Sequence, residues 1–219
     1  MVLQLKLRLL ETEPVVWRRI LVDDTSTLHQ LHRMIQILMG WWDYHLYRFD
    51  VAGRRFDHPQ DEPIFLDDDF GEPATGVTLR GLGLRKGDVF DYRYDFGDDW
   101  RIEIEVERRR QTRGQRWTLP WLLEGERAGP PEDCGGITGL QEILAVLEPV
   151  PSVPGGPGDH SKTSEDVGEL DGFWEEESDE ERERRELLEW LGDYDPARFD
   201  RKTVNHFLVL AQVWGALDG

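Results

Sequence analysis

The sequence predicts an α+β fold: a β-grasp-like mixed sheet with an added aromatic hairpin and C-terminal helices. Three observations carry this. Leu3, Leu5, Leu7 and Leu9 alternate with Gln4, Lys6 and Arg8, the mark of a half-buried strand. Leu28, Leu31, Ile35, Leu38 and Met39 then recur at helical spacing. Phe90, Tyr92, Tyr94 and Phe96 alternate with charged residues up to Gly97-Asp98-Asp99, and Trp100, Ile102, Ile104 and Val106 alternate beyond it. Period-two patterning on both sides of a Gly/Asp break reads as a hairpin with one buried face.

Taken in order, Glu11-Thr12-Glu13-Pro14 turns the first strand into a second, residues 15–22, rich in β-branched and aromatic side chains. Arg18-Arg19 puts one charge on each face of that strand, so one of them must reach an edge or find a carboxylate. Thr27 with Gln30 fits a capping box at the helix start, and Gly40 fits the position just past its end. His32 falls on the helix's apolar side, as a packed, hydrogen-bonded histidine. Residues 44–51 form a third strand with His45, Tyr47, Phe49 and Val51 on one side. A short strand follows at 54–56, then a long Asp/Pro/Gly loop over 57–76 and a connector at 78–84. Pro120 limits the apolar run 117–123 to an extended edge. Ile137, Leu140, Ile143, Leu144 and Leu147 trace a helix. A charged helix is predicted over 175–191. Asp200 caps a final helix whose inner face is Val204, Phe207, Leu208, Ala211 and Trp214. The domain division expected is a core over residues 1–149, an acidic Pro/Gly-rich linker over 150–174, and C-terminal helices over 175–219 packing on the core.

With 219 residues and a formal net charge of −19, the chain disfavours nucleic-acid binding, which depends on Lys and Arg displacing counterions. The charge is uneven. Residues 1–110 hold 21 Asp and Glu against 16 Lys and Arg, whereas residues 159–195 hold 16 against 4. The late acidic segment is expected to be a solvated linker and helix face. A single cysteine, Cys134, excludes an internal disulfide framework and a multi-cysteine zinc site. With no run long and apolar enough to span a bilayer and no signal-peptide pattern, the expectation is a cytoplasmic protein that does not bind membranes.

Two segments carry candidate binding residues. At the hairpin tip, Asp95, Asp98, Asp99 and Trp100 cluster. Carboxylates there suit a hard cation or a cationic partner group with an aromatic face beside it, while Asp and Gly also serve plain turn geometry. In Pro130-Pro131-Glu132-Asp133-Cys134-Gly135-Gly136, a stiff loop presents Glu132, Asp133 and Cys134 at the start of a helix. A thiolate there would be activated; a buried thiol would be inert. Of the adjacent Trp41 and Trp42, one is expected in the core and one on a rim. His45 is a candidate ligand, though an inward histidine bonded to an aspartate is the commoner outcome. No catalytic residue, resident metal or cofactor is assigned.

Several runs together resemble a known family: Pro14-Val15-Val16-Trp17-Arg18-Arg19-Ile20; Met39-Gly40-Trp41 with His45-Leu46-Tyr47-Arg48-Phe49; Tyr94-Asp95-Phe96-Gly97-Asp98-Asp99-Trp100; the Pro-Pro-Glu-Asp-Cys-Gly-Gly loop; and Phe199-Asp200 with Val204-Asn205. These are similar to the plasmid pRiA4b ORF-3-like family, whose members are also named as insertion-element passenger TnpR proteins. The resemblance implies an α+β domain of bacterial, archaeal or plasmid origin and no proven activity. The resolvase suggestion in that label finds no serine in the first 25 residues. The expectation is a non-catalytic interaction module with an unidentified protein partner, the two loops and Trp41/Trp42 forming one face. An enzyme or ligand-binding pocket built from His45, Asp95, Asp98, Asp99, Glu132 and Cys134 is the alternative. A DNA-handling accessory of transposition is the third, and it requires Arg18, Arg19, Arg54, Arg55, Arg108, Arg109 and Arg110 to share a basic face.

Overall fold

The structure is a computed structural model that describes residues 1–58, 71–111, 119–148, 177–213 and 217. The expected linker over 150–174 and Trp214 lie outside the described residues. The chain divides into two compact units, Met1–Leu140 with Tyr194–Gly219, and Gln141–Asp193.

The first unit is built on an eight-stranded sheet in the order β5-β4-β3-β6-β7-β1-β2-β8. Its strands are β1 (Val2–Leu9), β2 (Trp17–Asp23), β3 (Tyr47–Val51), β4 (Arg54–Asp57), β5 (Glu72–Pro73), β6 (Val89–Tyr94), β7 (Trp100–Arg110) and β8 (Trp121–Glu126). Every pairing is antiparallel except β4 with β5. The fold is the mixed α+β class that the patterning predicts. The hairpin's second strand, β7, lies directly against β1, so the aromatic hairpin sits in the middle of the sheet. This explains why both of its strands carry a fully apolar inner face: Phe90, Tyr92, Tyr94, Trp100, Ile102, Ile104 and Val106 are all buried.

Helix α1 (Leu28–Met39) covers that inner face. Both halves of the Thr27/Gln30 capping box form, and Gly40 closes the helix at φ 81°, in the left-handed region that glycine enters without strain. Caps of this kind are worth about 1 kcal/mol. Helix α2 (Gly136–Leu147) follows the Pro/Gly loop, and α4 (Arg201–Val213) is the last helix among the described residues. Asp200 caps α4 through the amides of Lys202 and Thr203.

The inner face of α4 differs from the expected one. Phe207 is 54% exposed, and Asn205 turns inward beside Leu208. The Asn205 side chain accepts from Leu122 N at 2.8 Å and donates to Leu122 O at 3.0 Å. Strand β8 is an edge, as Pro120 requires, and these two bonds bind it to α4.

Arg18 resolves the two-charge problem without a carboxylate. It is 1% exposed on the inner face. Its guanidinium donates to the backbone carbonyls of Leu38, Trp17 and Glu126 at 2.8 Å each, and stacks on Phe199 at 4.1 Å. Burial pulls its pKa down to about 9. Its outward neighbour Arg19 pairs with Glu107 and Glu124. Arg54 pairs with Glu72. The shared basic face that DNA handling requires is therefore broken: Arg18 points into the core, and Arg19 and Arg54 are matched by carboxylates.

In the second unit, α3 (Asp179–Leu191) starts with a Ser178/Glu181 capping box, and Arg185 pairs with Glu177 and Glu189. Three acidic residues in its first turn suit the positive end of the helix dipole. Among the described residues, no helix is long and apolar enough to cross a membrane.

Candidate functional site

The hairpin tip between β6 and β7 and the loop over 130–136 are neighbours. Gly135 N donates to Asp98 Oδ2 at 3.2 Å. At Gly136, an added Cβ would lie 2.5 Å from the Asp98 carbonyl oxygen, so only glycine permits the approach. Asp95, Asp99 and Asp133 all take positive φ, at 51°, 57° and 55°. Aspartate tolerates this conformation better than most residues, which accounts for its density in these turns.

Glu132 joins the loop to the sheet. Its Oε1 accepts from the Tyr94 hydroxyl at 2.6 Å, and its Oε2 accepts from Trp42 N at 2.8 Å. The Tyr94 hydroxyl in turn accepts from Tyr44 N at 3.1 Å. Burial, and then the Glu132 carboxylate, push the Tyr94 phenol far above its ordinary pKa, so it stays a donor. Trp41 is buried and donates its indole N–H to Pro130 O at 3.1 Å, under the same loop.

His45 lies just before β3 and is half-exposed. Its Nε2 is 2.8 Å from Asp133 Oδ1, 3.6 Å from Asp95 Oδ2 and 3.9 Å from Glu132 Oε1. Carboxylates from both loops therefore converge on one imidazole nitrogen. His45, Asp95 and Asp133 offer ligand atoms that all lie within 4.8 Å of one another, a set able to hold a metal ion.

Not every residue singled out in the sequence reaches this face. Trp100 is 2% exposed and belongs to the core with Trp41, so neither supplies the aromatic contact surface. Asp99 is drawn away from the cluster by Arg93 and Arg101, and despite its partial burial these arginines hold its carboxyl below the usual range. Cys134 is half-buried, and its Sγ faces Gly136 O. Burial, and then the charge of Asp98, push its thiol up to about 12, so it is protonated at neutral pH and is no ready nucleophile. Trp42 is the rim tryptophan that the sequence anticipates, and Tyr44, which stacks on it, is the residue that pattern-reading passes over. They are 68% and 69% exposed and stack with ring centroids 6.2 Å apart. One available signal was Tyr94 itself: tyrosine rather than phenylalanine at an inward position implies a partner for the hydroxyl.

A second polar cluster lies beneath α1. His32, fully buried, meets Asp43 Oδ1 through Nε2 at 2.6 Å and the Tyr92 hydroxyl through Nδ1 at 2.8 Å. Gln36 donates to the same hydroxyl and accepts from Asp43 N. Arg33 donates to His29 Nε2, which leaves the His29 proton on Nδ1, facing the Tyr47 hydroxyl at 2.7 Å. Burial lowers the pKa of both histidines, that of His29 to about 4. Asp43 is pulled up by burial but held lower overall by its bond to His32. Each bond has a donor and an acceptor with both imidazoles neutral, so this is a satisfied core network.

The profile for plasmid pRiA4b ORF-3-like proteins matches residues 1–157. Uncharacterized protein y4hQ of Sinorhizobium fredii is 37% identical over 150 residues, which cover 67% of this chain and 73% of that protein. The crystal structure of a protein of unknown function from Methanosarcina mazei Go1, MM3350, superposes with a TM-score of 0.66 at 28% identity, covering 92% of this chain and 96% of that one. The matched profile takes in the hairpin, the Pro/Gly loop and His45 together, and on that evidence the chain belongs to the plasmid pRiA4b ORF-3-like family.

Proposed function

We propose that the protein is a non-catalytic interaction module whose docking face is formed by Trp42, Tyr44 and the His45/Asp95/Asp133 cluster. One observation carries this reading. An exposed, stacked aromatic pair has both backbone amides tied to the single Tyr94–Glu132 hydrogen bond. Large aromatics held rigidly at the surface lose little entropy when a partner covers them, and such residues dominate protein interfaces. A protonated Cys134 thiol also speaks against the thiolate form of the catalytic alternative.

Affinity capture from a host-cell extract tests the reading. The full chain should retain a protein that the Trp42→Ala/Tyr44→Ala variant loses. An identical set of captured proteins for the two would contradict it.

A further inference from the structure

We infer that His45, Asp95 and Asp133 bind a divalent first-row transition-metal ion, zinc or manganese in class, at the centre of this face. The inference rests on reading the face as a binding surface and names what its polar centre takes.

Three features argue for an ion rather than an ordinary histidine–carboxylate pair. The first is the donor set. One imidazole nitrogen and two carboxylates come from three separate segments: the approach to β3, the hairpin tip and the Pro/Gly loop. Imidazole with carboxylate suits Zn²⁺, Mn²⁺ or Fe²⁺ better than the all-oxygen shells of Mg²⁺ and Ca²⁺.

The second is distance. Bonds of about 2.0–2.2 Å to a shared ion put neighbouring donors roughly 3 Å apart. His45 Nε2 is 2.8 Å from Asp133 Oδ1 and 3.6 Å from Asp95 Oδ2. All three donors lie within 4.8 Å of one another, so closing on an ion draws the most separated pair together by about 1.5 Å.

The third is Asp95 itself. The residue is only 8% exposed. Its Oδ1 is used by Gly97 N at 2.9 Å. Its Oδ2 has no hydrogen-bond donor among the described residues, and it faces His45 Nε2 at 3.6 Å, too long for a hydrogen bond. An oxygen that accepts no hydrogen bond keeps its lone pairs available to a cation in the cluster.

Glu132 stands just outside this set. Its Oε1, 3.9 Å from His45 Nε2, is engaged by Tyr94, so it acts as the carboxylate that holds the loop in position. Three protein ligands leave coordination positions open to water or to a donor from the partner beside Trp42 and Tyr44.

Calorimetric titration of the full chain with ZnCl₂, alongside MgCl₂ and the visible spectrum with Co²⁺, tests the inference. One Zn²⁺ per chain is expected, with little or no Mg²⁺ binding and a Co²⁺ spectrum lacking a sulfur-to-metal band. H45Q and Asp133→Asn should each weaken Zn²⁺ binding at least tenfold, while Cys134→Ser leaves it unchanged. Asp133 is exposed, so its variant should fold normally, which circular dichroism checks. No saturable Zn²⁺ binding, or binding indifferent to both variants, would overturn the metal site. The docking face is judged separately. If zinc fails to bind but capture still depends on Trp42 and Tyr44, only the metal site falls. If zinc binds while capture is the same in the Trp42→Ala/Tyr44→Ala variant, only the docking reading falls.

Discussion

His45 and Asp133 lie 88 positions apart in the sequence and 2.8 Å apart in space. That contact closes a ring of segments: the end of α1 and the approach to β3, the hairpin tip, and the loop before α2. The sheet makes it possible. Pairing β3 with β6 in register, Tyr47 opposite Tyr94, brings the start of β3 beside the hairpin tip.

Arg18 links the end of α1 to strands β2 and β8 through three backbone carbonyls. Arg18→Leu leaves those carbonyls unsatisfied in the core and should destabilise the protein by about 3–5 kcal/mol. Arg18→Lys should recover only part of this, because an ammonium cannot reproduce the planar fork. Urea denaturation of the variants measures both.

Asn205 closes the β8 edge against α4. Asn205→Leu should cost about 2 kcal/mol and speed hydrogen exchange at the Leu122 amide. Asn205→Asp keeps the acceptor but sets a buried carboxylate oxygen against the Leu122 carbonyl, and should cost at least as much as Asn205→Leu. Exchange by NMR at Leu122 is the check.

Acid should weaken the core beneath α1. Burial places the pKa of His29 in the folded protein, about 4, below its ordinary 6.5. His32, Arg33, Asp43 and His58 surround it. Its contribution to stability is therefore complete above about pH 6.5 and is lost as pH falls toward 4. The denaturation midpoint should drop between pH 7 and 4.5, and His29→Gln should flatten that drop by about 2–3 kcal/mol. Carboxylates held low in the fold, such as Glu107 beside Arg19, add their own loss at lower pH.

Cys134 should react slowly. With its thiol pushed up to about 12, the thiolate fraction at pH 8 is small. Labelling by a maleimide in the native protein should run at least tenfold slower than in urea. Equal rates would mean that the thiol is neither buried nor shifted.

Periodicity made most of the fold legible. The capping box at Thr27, the edge character after Pro120 and the aromatic hairpin all follow from local rules that the sequence states directly. Pattern-reading loses accuracy where a residue's partner is distant. Arg19 finds the carboxylates that one arginine of the pair needs, but the burial of Arg18 on backbone carbonyls leaves no trace in a residue pattern. Phe207 was placed inward by helical spacing, yet the hydrogen bonds of Asn205 set the rotation of α4. At the candidate site, the hairpin tip and the Pro/Gly loop stood out by composition alone. That Glu132 ties its loop to Tyr94 and Trp42, and that Trp42 and Tyr44 rather than Trp41 and Trp100 face outward, depends on long-range strand register.

The central claim is that the two loops form one face held together at Tyr94 and Glu132. A double-mutant cycle with Tyr94→Phe and Glu132→Gln, read by urea denaturation, tests it most directly. A coupling energy of about 1–2 kcal/mol is expected for a charge-assisted hydrogen bond of 2.6 Å. Additive effects, with coupling near zero, would mean that the loop and the hairpin are not joined and that the face does not exist as described.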